Sequence, residues 1–153
     1  MPPQAVDNQQ ISSGLDTTPE WIESRTGIRE RRRVSAGIGV RELAIKAGAR
    51  AIASSGGRRI DALVVATTSP ERICRAVAPE VATALELGDI AACNMTTACC
   101  GFVYGLATAT GLIAAGIAET VLLIGAEAFE LDAWRVAGSV SALGCPRIHC
   151  GPF

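Results

Sequence analysis

One stretch of the chain restricts the possible folds more than any other. From Ala98 to Ala118 there is no charged residue, and most of the side chains are small. The length of this stretch and the GxxxG spacing of Gly101 and Gly105 would suit a transmembrane helix. The flanks contradict that interpretation, because they lack lysine and arginine and because a second apolar run, Thr120 to Ala126, follows after one residue. A helix that is apolar on every side is also expected at the centre of a layered protein, so we predict a buried helix and no membrane association.

Composition narrows the class of protein further. The 153 residues fit one ordinary domain with a sizeable core, and 49% hydrophobic with 19% charged residues is typical of a globular chain. A net charge of −1 argues against general nucleic-acid binding. The six cysteines could indicate disulfides, but the first residues have neither the basic nor the apolar region of a secretion signal. We therefore expect reduced thiols and a cytoplasmic location.

Helical and strand patterns alternate along the chain. Thr17-Thr18-Pro19-Glu20 has the T-x-x-E spacing of a capping box and a proline in the first turn, which predicts a short helix ending near Gly27. Apolar residues recur at helical spacing from Val40 to Ala51, so an amphipathic helix is expected there. Apolar runs predict buried strands at 62–67 and 120–125, and the pattern between them indicates a further strand at 90–95 and helices at 76–87 and 99–117. The pattern predicts an α/β fold in which helices cover both faces of a parallel or mixed sheet.

The segment Ala98-Cys99-Cys100-Gly101-Phe102 lies where a predicted strand gives way to the uncharged helix. Backbone N–H groups at a helix N-terminus stabilise an anion and lower the pKa of a cysteine, which favours the nucleophilic thiolate. Cys99 is the better candidate of the pair, because Gly101 allows a tight turn behind it and the close approach of another chain segment or of a substrate carbonyl. The alternative is that both cysteines are small hydrophobic residues packed in the core.

Four segments, in order along the chain, resemble one enzyme family. Residues 16–28 are similar to its D-T-x-x-E-W-I-x-x-R-T-G-I segment, and residues 98–102 to its A-C-x-G-F nucleophile motif. Residues 65–69 (V-A-T-T-S) and 122–127 (L-L-I-G-A-E) resemble two of its strands. By this resemblance, which covers residues 10–129, the chain is identified as a member of the β-ketoacyl-acyl-carrier-protein synthase III family of the thiolase-like superfamily.

The resemblance implies a thiolase-like layered fold, of which this chain would be the N-terminal half. Residues 1–130 would form the thiolase-like domain without its first strand, and residues 131–153 a divergent tail in which we expect disorder. The helix that follows the nucleophile would be buried, and two copies of the chain would form a homodimer.

The resemblance also implies an activity, an acyltransferase reaction. Cys99 would take an acyl group from acyl-CoA for decarboxylative condensation with malonyl-acyl carrier protein, in fatty-acid or polyketide initiation. Trp21 would stack on the adenine of coenzyme A, with Thr17 beside it and Arg25 in the same site. Coenzyme A enters as a thioester substrate, and no resident cofactor is expected. From the residues alone, Trp21 could instead anchor its helix in the core, and Arg25 could be a solvated charge.

Other arginines follow this segment closely. The basic run Arg29, Arg31, Arg32 and Arg33 could favour coenzyme A phosphates or an acidic carrier protein, although a solvated edge is the commoner explanation for such a run.

The chain also departs from the family pattern. The H-Q-A-N and G-N-T contexts of the family's catalytic histidine and asparagine do not occur, and its F-G-D-G-A segment has no counterpart after Phe129. Asn94 replaces a usual aspartate, and Cys74-Arg75 replaces an aromatic-proline pair near the acyl pocket. These departures predict a truncated, incompletely active form. The alternative is a non-catalytic remnant or a dimerisation module of the same fold.

A last group of candidate ligands lies near the end of the chain. Cys145, His149 and Cys150 have the softness that zinc prefers, but a structural zinc site needs four ligands at a recognisable spacing. We therefore predict no metal site. His149 is the only histidine, and it lies outside every family motif, so we assign it no part in catalysis.

Overall fold

A computed structural model describes residues 4–35, 37–69, 76–131, 134–137, 141–145 and 149–150, with side chains up to Ala128. The helices are α1 (Asn8–Ser12), α2 (Pro19–Thr26), α3 (Val40–Ser54), α4 (Val77–Ala84) and α5 (Gly101–Ala114), and a 3₁₀ turn (Ala98–Cys100) precedes α5. The strands are β1 (Gln4–Asp7), β2 (Glu30–Arg33), β3 (Ala62–Ala66), β4 (Ala91–Met95), β5 (Val121–Gly125), β6 (Ala128–Leu131), β7 (Trp134–Ala137), β8 (Ser141–Cys145) and β9 (His149–Cys150).

The central sheet is mixed, as predicted. Its strand order is β4-β3-β5-β8-β9, in which β3 is parallel to both β4 and β5, while β8 and β9 add antiparallel strands beyond β5. A second sheet, with the order β1-β2-β7-β6, is antiparallel. Because β3, β4 and β5 run in the same direction, the residues that follow their carboxyl ends meet at one edge of the sheet.

Helices cover both faces of the central sheet, which confirms the predicted fold class. On one face, α3 and α4 pack on Leu63 and Val65 of β3 and on Leu122 and Ile124 of β5. On the other face, α5 packs on the alternate side chains of the same strands, including Leu123. Every residue of β3 is buried, as the continuous apolar run requires for a strand between two helical layers.

Burial of α5 is less complete than the sequence predicted. Gly101, Gly105 and Ala109 form a buried stripe at four-residue spacing, whereas Val103 and Tyr104 on the same helix are exposed. The physical reason is that the helix has a sheet on one side only within the described part of the chain. In that part, no helix is long and apolar enough to cross a membrane.

Helix ends are fixed by specific hydrogen bonds. The Glu42 side chain accepts a hydrogen bond from the Gly39 backbone N–H at the start of α3. Burial raises the pKa of Glu42, but backbone hydrogen bonds at Glu42 and Gly39 and the neighbouring Arg41 outweigh it and hold the pKa below its ordinary value. At α4, the residue before the helix is alanine, and Asn94 of β4 supplies the acceptor instead: its Oδ1 accepts from the Ala78 N–H at 2.8 Å.

Some residues that the sequence analysis singled out lie outside the described part of the chain. Cys74 and Arg75, the predicted departures near the acyl pocket, are not among the described residues. The side chains of the candidate zinc ligands Cys145, His149 and Cys150 are not described either. The division into a domain of residues 1–130 and a tail of residues 131–153 stays a prediction, with β7, β8 and β9 described inside that tail.

Candidate active site

The carboxyl ends of the three parallel strands are tied together by backbone hydrogen bonds. The Thr67 N–H, just after β3, donates to the Met95 carbonyl at the end of β4 at 3.0 Å. The Ala126 N–H, just after β5, donates to the Ala66 carbonyl at 3.1 Å. These bonds continue the sheet beyond the last residues of the strands. They hold the ends of β3, β4 and β5 together next to the segment that connects β4 to α5.

The candidate nucleophile lies on the short turn between β4 and α5. Ala98 has a φ of 46°, in the left-handed region that a residue with a Cβ adopts at a cost of roughly 1–3 kcal/mol. The next residue is Cys99, and both Cys99 and Cys100 are exposed. Exposure of both thiols does not support the alternative that the pair serves as core packing. Ala98 opens the 3₁₀ turn that joins β4 to α5, so Cys99 lies shortly after the carboxyl end of β4 in the sequence.

Glycines let α5 approach the strands directly behind this turn. A Cβ added to Gly101 would lie 3.4 Å from the Ala66 Cβ and 3.5 Å from the Thr97 Oγ1. A Cβ added to Gly125 would lie 3.1 Å from Cδ2 of Phe102, so the aromatic ring packs directly on the backbone of β5. The distances at Gly101 are ordinary van der Waals contacts that an alanine could make, so the close packing behind the turn rests on Gly125 and Phe102.

Glu127 joins the ends of β3 and β5 through its side chain. Its Oε1 accepts from the Thr68 backbone N–H at 2.6 Å and from the Thr68 hydroxyl at 3.0 Å. Its Oε2 accepts from the Ser69 hydroxyl at 2.5 Å and from the Thr67 hydroxyl at 3.4 Å. The Ser69 hydroxyl in turn accepts from the Ala128 N–H at 3.0 Å. We call Glu127 with Thr67, Thr68 and Ser69 the carboxylate clasp.

Sequence reasoning gave Glu127 no role. Glu127 is the last residue of the segment 122–127, which resembles one strand of the family. Thr67, Thr68 and Ser69 are the last residues of the segment 65–69, which resembles another. A signal was present, because an acidic residue and a cluster of hydroxyl residues each follow a buried parallel strand. Carboxyl ends of parallel strands meet at one edge, so the two groups could have been paired.

The second group of predicted site residues lies in and before α2. The helix starts after Thr18, whose hydroxyl accepts from the Trp21 N–H at 3.2 Å. The predicted capping box was offset by one residue, since it used Thr17 as the cap. Pro19 explains the difference, because it occupies the first turn and disfavours a helical conformation in the residue before it, which leaves Thr18 extended. Gly27, with a φ of 68°, ends the helix where predicted.

Trp21 and Arg25 are brought together on the outer side of α2. The indole is 56% exposed, and the Arg25 guanidinium carbon lies 6.0 Å from the centroid of the ring, within cation-π range. Ile22, not Trp21, is the buried residue that anchors the helix. The alternative that Trp21 is a core residue is therefore not supported, and one flat aromatic surface faces solvent beside a cation.

Thr17 lies directly before this helix and has a different environment. Its Oγ1 is buried, and no described residue is within hydrogen-bond distance of it. A buried hydroxyl without a partner costs roughly 1–3 kcal/mol, and because this oxygen is buried it is not open to a ligand in this structure.

Arginines after α2 have partners within the chain. Arg29 pairs with Glu23 at 2.7 Å, and the Arg31 side chain donates to the Asn8 Oδ1 at 2.9 Å. Exposed pairs such as Arg29–Glu23 contribute little to stability, typically about 0–1 kcal/mol. These contacts favour the interpretation of the basic run as a solvated edge.

The layered fold with an exposed cysteine on a turn between a parallel strand and a helix is that of the thiolase-like condensing enzymes. The family model described as 3-oxoacyl-[acyl-carrier-protein (ACP)] synthase III matches residues 93–133, which include the candidate nucleophile. The chain belongs to the β-ketoacyl-[acyl-carrier-protein] synthase III family.

Individual relatives agree with this assignment. β-Ketoacyl-[acyl-carrier-protein] synthase III 2 of Streptomyces coelicolor is 46% identical over 130 residues, which are 85% of this chain and 39% of that protein. The crystal structure of the Pseudomonas aeruginosa synthase matches with a TM-score of 0.75 and 41% identity over 83% of this chain and 40% of its own. MvaS in complex with 3-hydroxy-3-methylglutaryl coenzyme A matches with a TM-score of 0.80 and 25% identity, over 94% of this chain and 37% of its own. The chain thus spans about two fifths of the length of the curated relatives it matches.

Proposed function

We propose that this chain carries the acyl-accepting part of a β-ketoacyl-acyl-carrier-protein synthase III, with Cys99 as the residue that becomes acylated. The observation that carries the proposal is the exposed thiol on the strained turn, in a chain that is 46% identical to a synthase of that name. The thiolate would attack the carbonyl carbon of acyl-CoA. A carbon–sulfur bond to Cys99 forms, the bond to coenzyme A breaks, and the departing thiolate takes up a proton.

Coenzyme A would bind through the residues in and before α2. The exposed face of Trp21 offers a surface on which adenine can stack, and Arg25 beside it offers hydrogen-bond donors to phosphate oxygens. Thr17, which lies just before the helix, is the third residue that we propose for this site. The structural neighbour in complex with a coenzyme A thioester supports this choice of ligand. Coenzyme A is here a substrate, and no resident cofactor is proposed.

Condensation is the second half of the proposed reaction. The acyl group on Cys99 would be joined to malonyl carried by acyl carrier protein, in fatty-acid or polyketide initiation in the cytoplasm. The family's histidine and asparagine contexts do not occur in these 153 residues, so we propose that this chain contributes acylation and not the complete condensation.

A homodimer is also proposed. In the described part of the chain β4 stands at one end of the five-stranded sheet, and Cys93 on that strand is exposed. An edge strand presents backbone donors and acceptors that a second copy can pair with. Light scattering should give twice the chain mass, and oxidative crosslinking should link Cys93 to its copy.

Acylation of Cys99 is tested directly by peptide mass mapping after incubation with an acyl-CoA near neutral pH. Cys99 should be modified ahead of the other cysteines, because thiolate fraction and access control the rate. Cys100→Ala is the matched control, since it removes an adjacent exposed thiol and should leave acylation unchanged. Equal labelling of all six thiols, or preference for Cys145 and Cys150, would contradict the proposal. A folded chain that takes no acyl group would favour the non-catalytic remnant.

A further inference from the structure

The carboxylate clasp holds two strand ends that are far apart along the chain. Glu127 follows β5, and its bonded partners follow β3, some 58–60 residues earlier. The Ser69 hydroxyl links the two strand ends a second time, because it donates to Glu127 and also accepts from the Ala128 N–H. Any change in the spacing of these strand ends would therefore have to break several hydrogen bonds together.

The same two strand ends support the turn that carries Cys99. A Cβ added to Gly101 would contact Ala66, the last residue of β3, and the ring of Phe102 lies against the backbone of Gly125, the last residue of β5. Gly101 and Phe102 are two and three residues after Cys99 in the sequence. A shift of either strand end would consequently displace the start of α5 and the thiol with it.

The chemistry of the clasp calls for a carboxylate. All its partners donate: a backbone N–H and the hydroxyls of Thr68, Ser69 and Thr67. An ionised carboxylate has only acceptors, whereas the amide of glutamine replaces one oxygen by an NH₂ group that donates. Glu127→Gln keeps one oxygen for the Thr68 N–H, but its NH₂ group cannot accept, so the Ser69 and Thr67 hydroxyls would have to turn round and act as acceptors, and the stronger hydrogen bonds to a charged group would be lost.

We infer that Glu127 is a positioning residue for the acylation of Cys99, and this inference rests on the proposed function. It acts through the clasp, by fixing the ends of β3 and β5 at the spacing on which the turn before α5 depends. Cys99 is thereby held where its sulfur can meet the carbonyl carbon of a bound thioester. Trp21 and Arg25 lie on a different element, so binding of coenzyme A does not depend on the clasp.

The test compares acylation of Cys99 with its alkylation by iodoacetamide. The thioester must be oriented against the thiol, whereas a small alkylating reagent needs only an accessible thiolate. The variants are Glu127→Gln and Glu127→Asp, with Glu119→Gln as the control, because Glu119 is exposed and lies at the opposite end of β5. All rates are taken at a temperature where circular dichroism shows each variant folded.

In Glu127→Gln the maximum acylation rate should fall roughly tenfold or more, because a displacement of about 1 Å can cost that much. The acyl-CoA concentration at half-maximal rate and the alkylation rate should stay within about twofold of the wild type. Glu127→Asp should recover part of the loss, and Glu119→Gln should behave as the wild type. If Glu127→Gln does not fold, Ser69→Ala tests the same clasp, since it removes only the bridging hydroxyl, and a smaller loss in acylation alone is expected.

Two failures can be told apart. If the wild type is acylated and the folded clasp variants match it in rate, the inference is overturned and the proposed function stands. A parallel fall in acylation and alkylation would also overturn it, because a general loosening of the structure would then explain both. If Cys99 of the wild type is alkylated but never acylated, the proposed function fails, and the inference fails with it.

Discussion

Two glycines of α5 provide a sharp test of how closely this helix is packed on the sheet. A Cβ placed on Gly105 would lie 2.6 Å from Cδ1 of Leu123, and Cδ2 and Cγ of the same leucine would be 3.6 and 3.7 Å away. A Cβ placed on Gly111 would meet nothing within 4 Å. The two positions lie on one helix and neither has a positive φ, but Gly105 is buried and Gly111 is exposed in the last turn, so the main difference between Gly105→Ala and Gly111→Ala is what the added methyl group meets.

The magnitudes follow from two opposing terms. Alanine is favoured over glycine in a helix interior by about 1 kcal/mol, so Gly111→Ala should raise the free energy of unfolding by up to that amount. Gly105→Ala gains the same helical term but has to displace Leu123, which is only 1% exposed and sits in the middle of β5. Overpacking of this kind costs about 1–3 kcal/mol. The net change at Gly105 should then lie between about zero and a loss of 2 kcal/mol.

The difference in the free energy of unfolding between the two variants is more informative than either value alone, because the preference for alanine over glycine in a helix contributes to both. Urea denaturation followed by far-ultraviolet circular dichroism, at one fixed protein concentration, should place Gly105→Ala about 1–3 kcal/mol below Gly111→Ala. Equal midpoints for the two variants would refute the close packing of α5 on Leu123. A lower stability of Gly111→Ala than of the wild type would refute the assignment of that residue to an open helical position.

Three further outcomes are expected. Trp21→Ala should weaken coenzyme A binding by about 1–3 kcal/mol, the value of base–aromatic stacking, in calorimetric titration, and unchanged affinity would return that indole to a structural role. Asn94→Asp should raise the free energy of unfolding by about 0.3–1 kcal/mol at pH 7, because a negatively charged acceptor is preferred near the start of α4. Urea midpoints measured as a function of pH should show this gain vanishing below about pH 4, where the aspartate is protonated. Purified chain with acyl-CoA and malonyl-acyl carrier protein should give no more ketoacyl product than its Cys99→Ala variant. The reason is that the family's histidine and asparagine contexts, which supply the donors that stabilise condensation, do not occur in this sequence. Product above the level of that control would show that the catalytic groups had been misassigned.

Local patterns were enough to predict most of the architecture. The continuous apolar runs predicted β3 and β5 to within one residue, because a strand covered on both faces has no polar side to interrupt it. The partly exposed β4 was also predicted to within one residue. The helix over 40–51 was predicted from its spacing, and Gly56 and Gly57, both with positive φ, follow its end. Helix ends were predicted less well: α4 and α5 are shorter than predicted, and the cap of α2 was placed at Thr17 instead of Thr18, since the effect of Pro19 on the residue before it was not weighed.

Contacts between distant residues could not be predicted from such patterns. The clasp of Glu127 depends on two strands lying side by side, and no local rule states which strands are neighbours. The exposure of one side of α5 was missed for a similar reason. Its sequence is apolar on every side, and only the arrangement of the sheet decides which stripe is buried.

The strained residue before Cys99 shows why these distant contacts matter for the chemistry. A left-handed alanine costs roughly 1–3 kcal/mol and persists only where the surrounding structure outweighs that cost. The local sequence A-C-C-G-F supplies the glycine that permits close packing, but it contains nothing that would hold Ala98 in this conformation. The nearest contact with a strand end is made by Phe102, whose ring lies against the backbone of Gly125 at the end of β5. The motif therefore marks where the thiol lies, whereas the ends of β3 and β5 determine how it is presented.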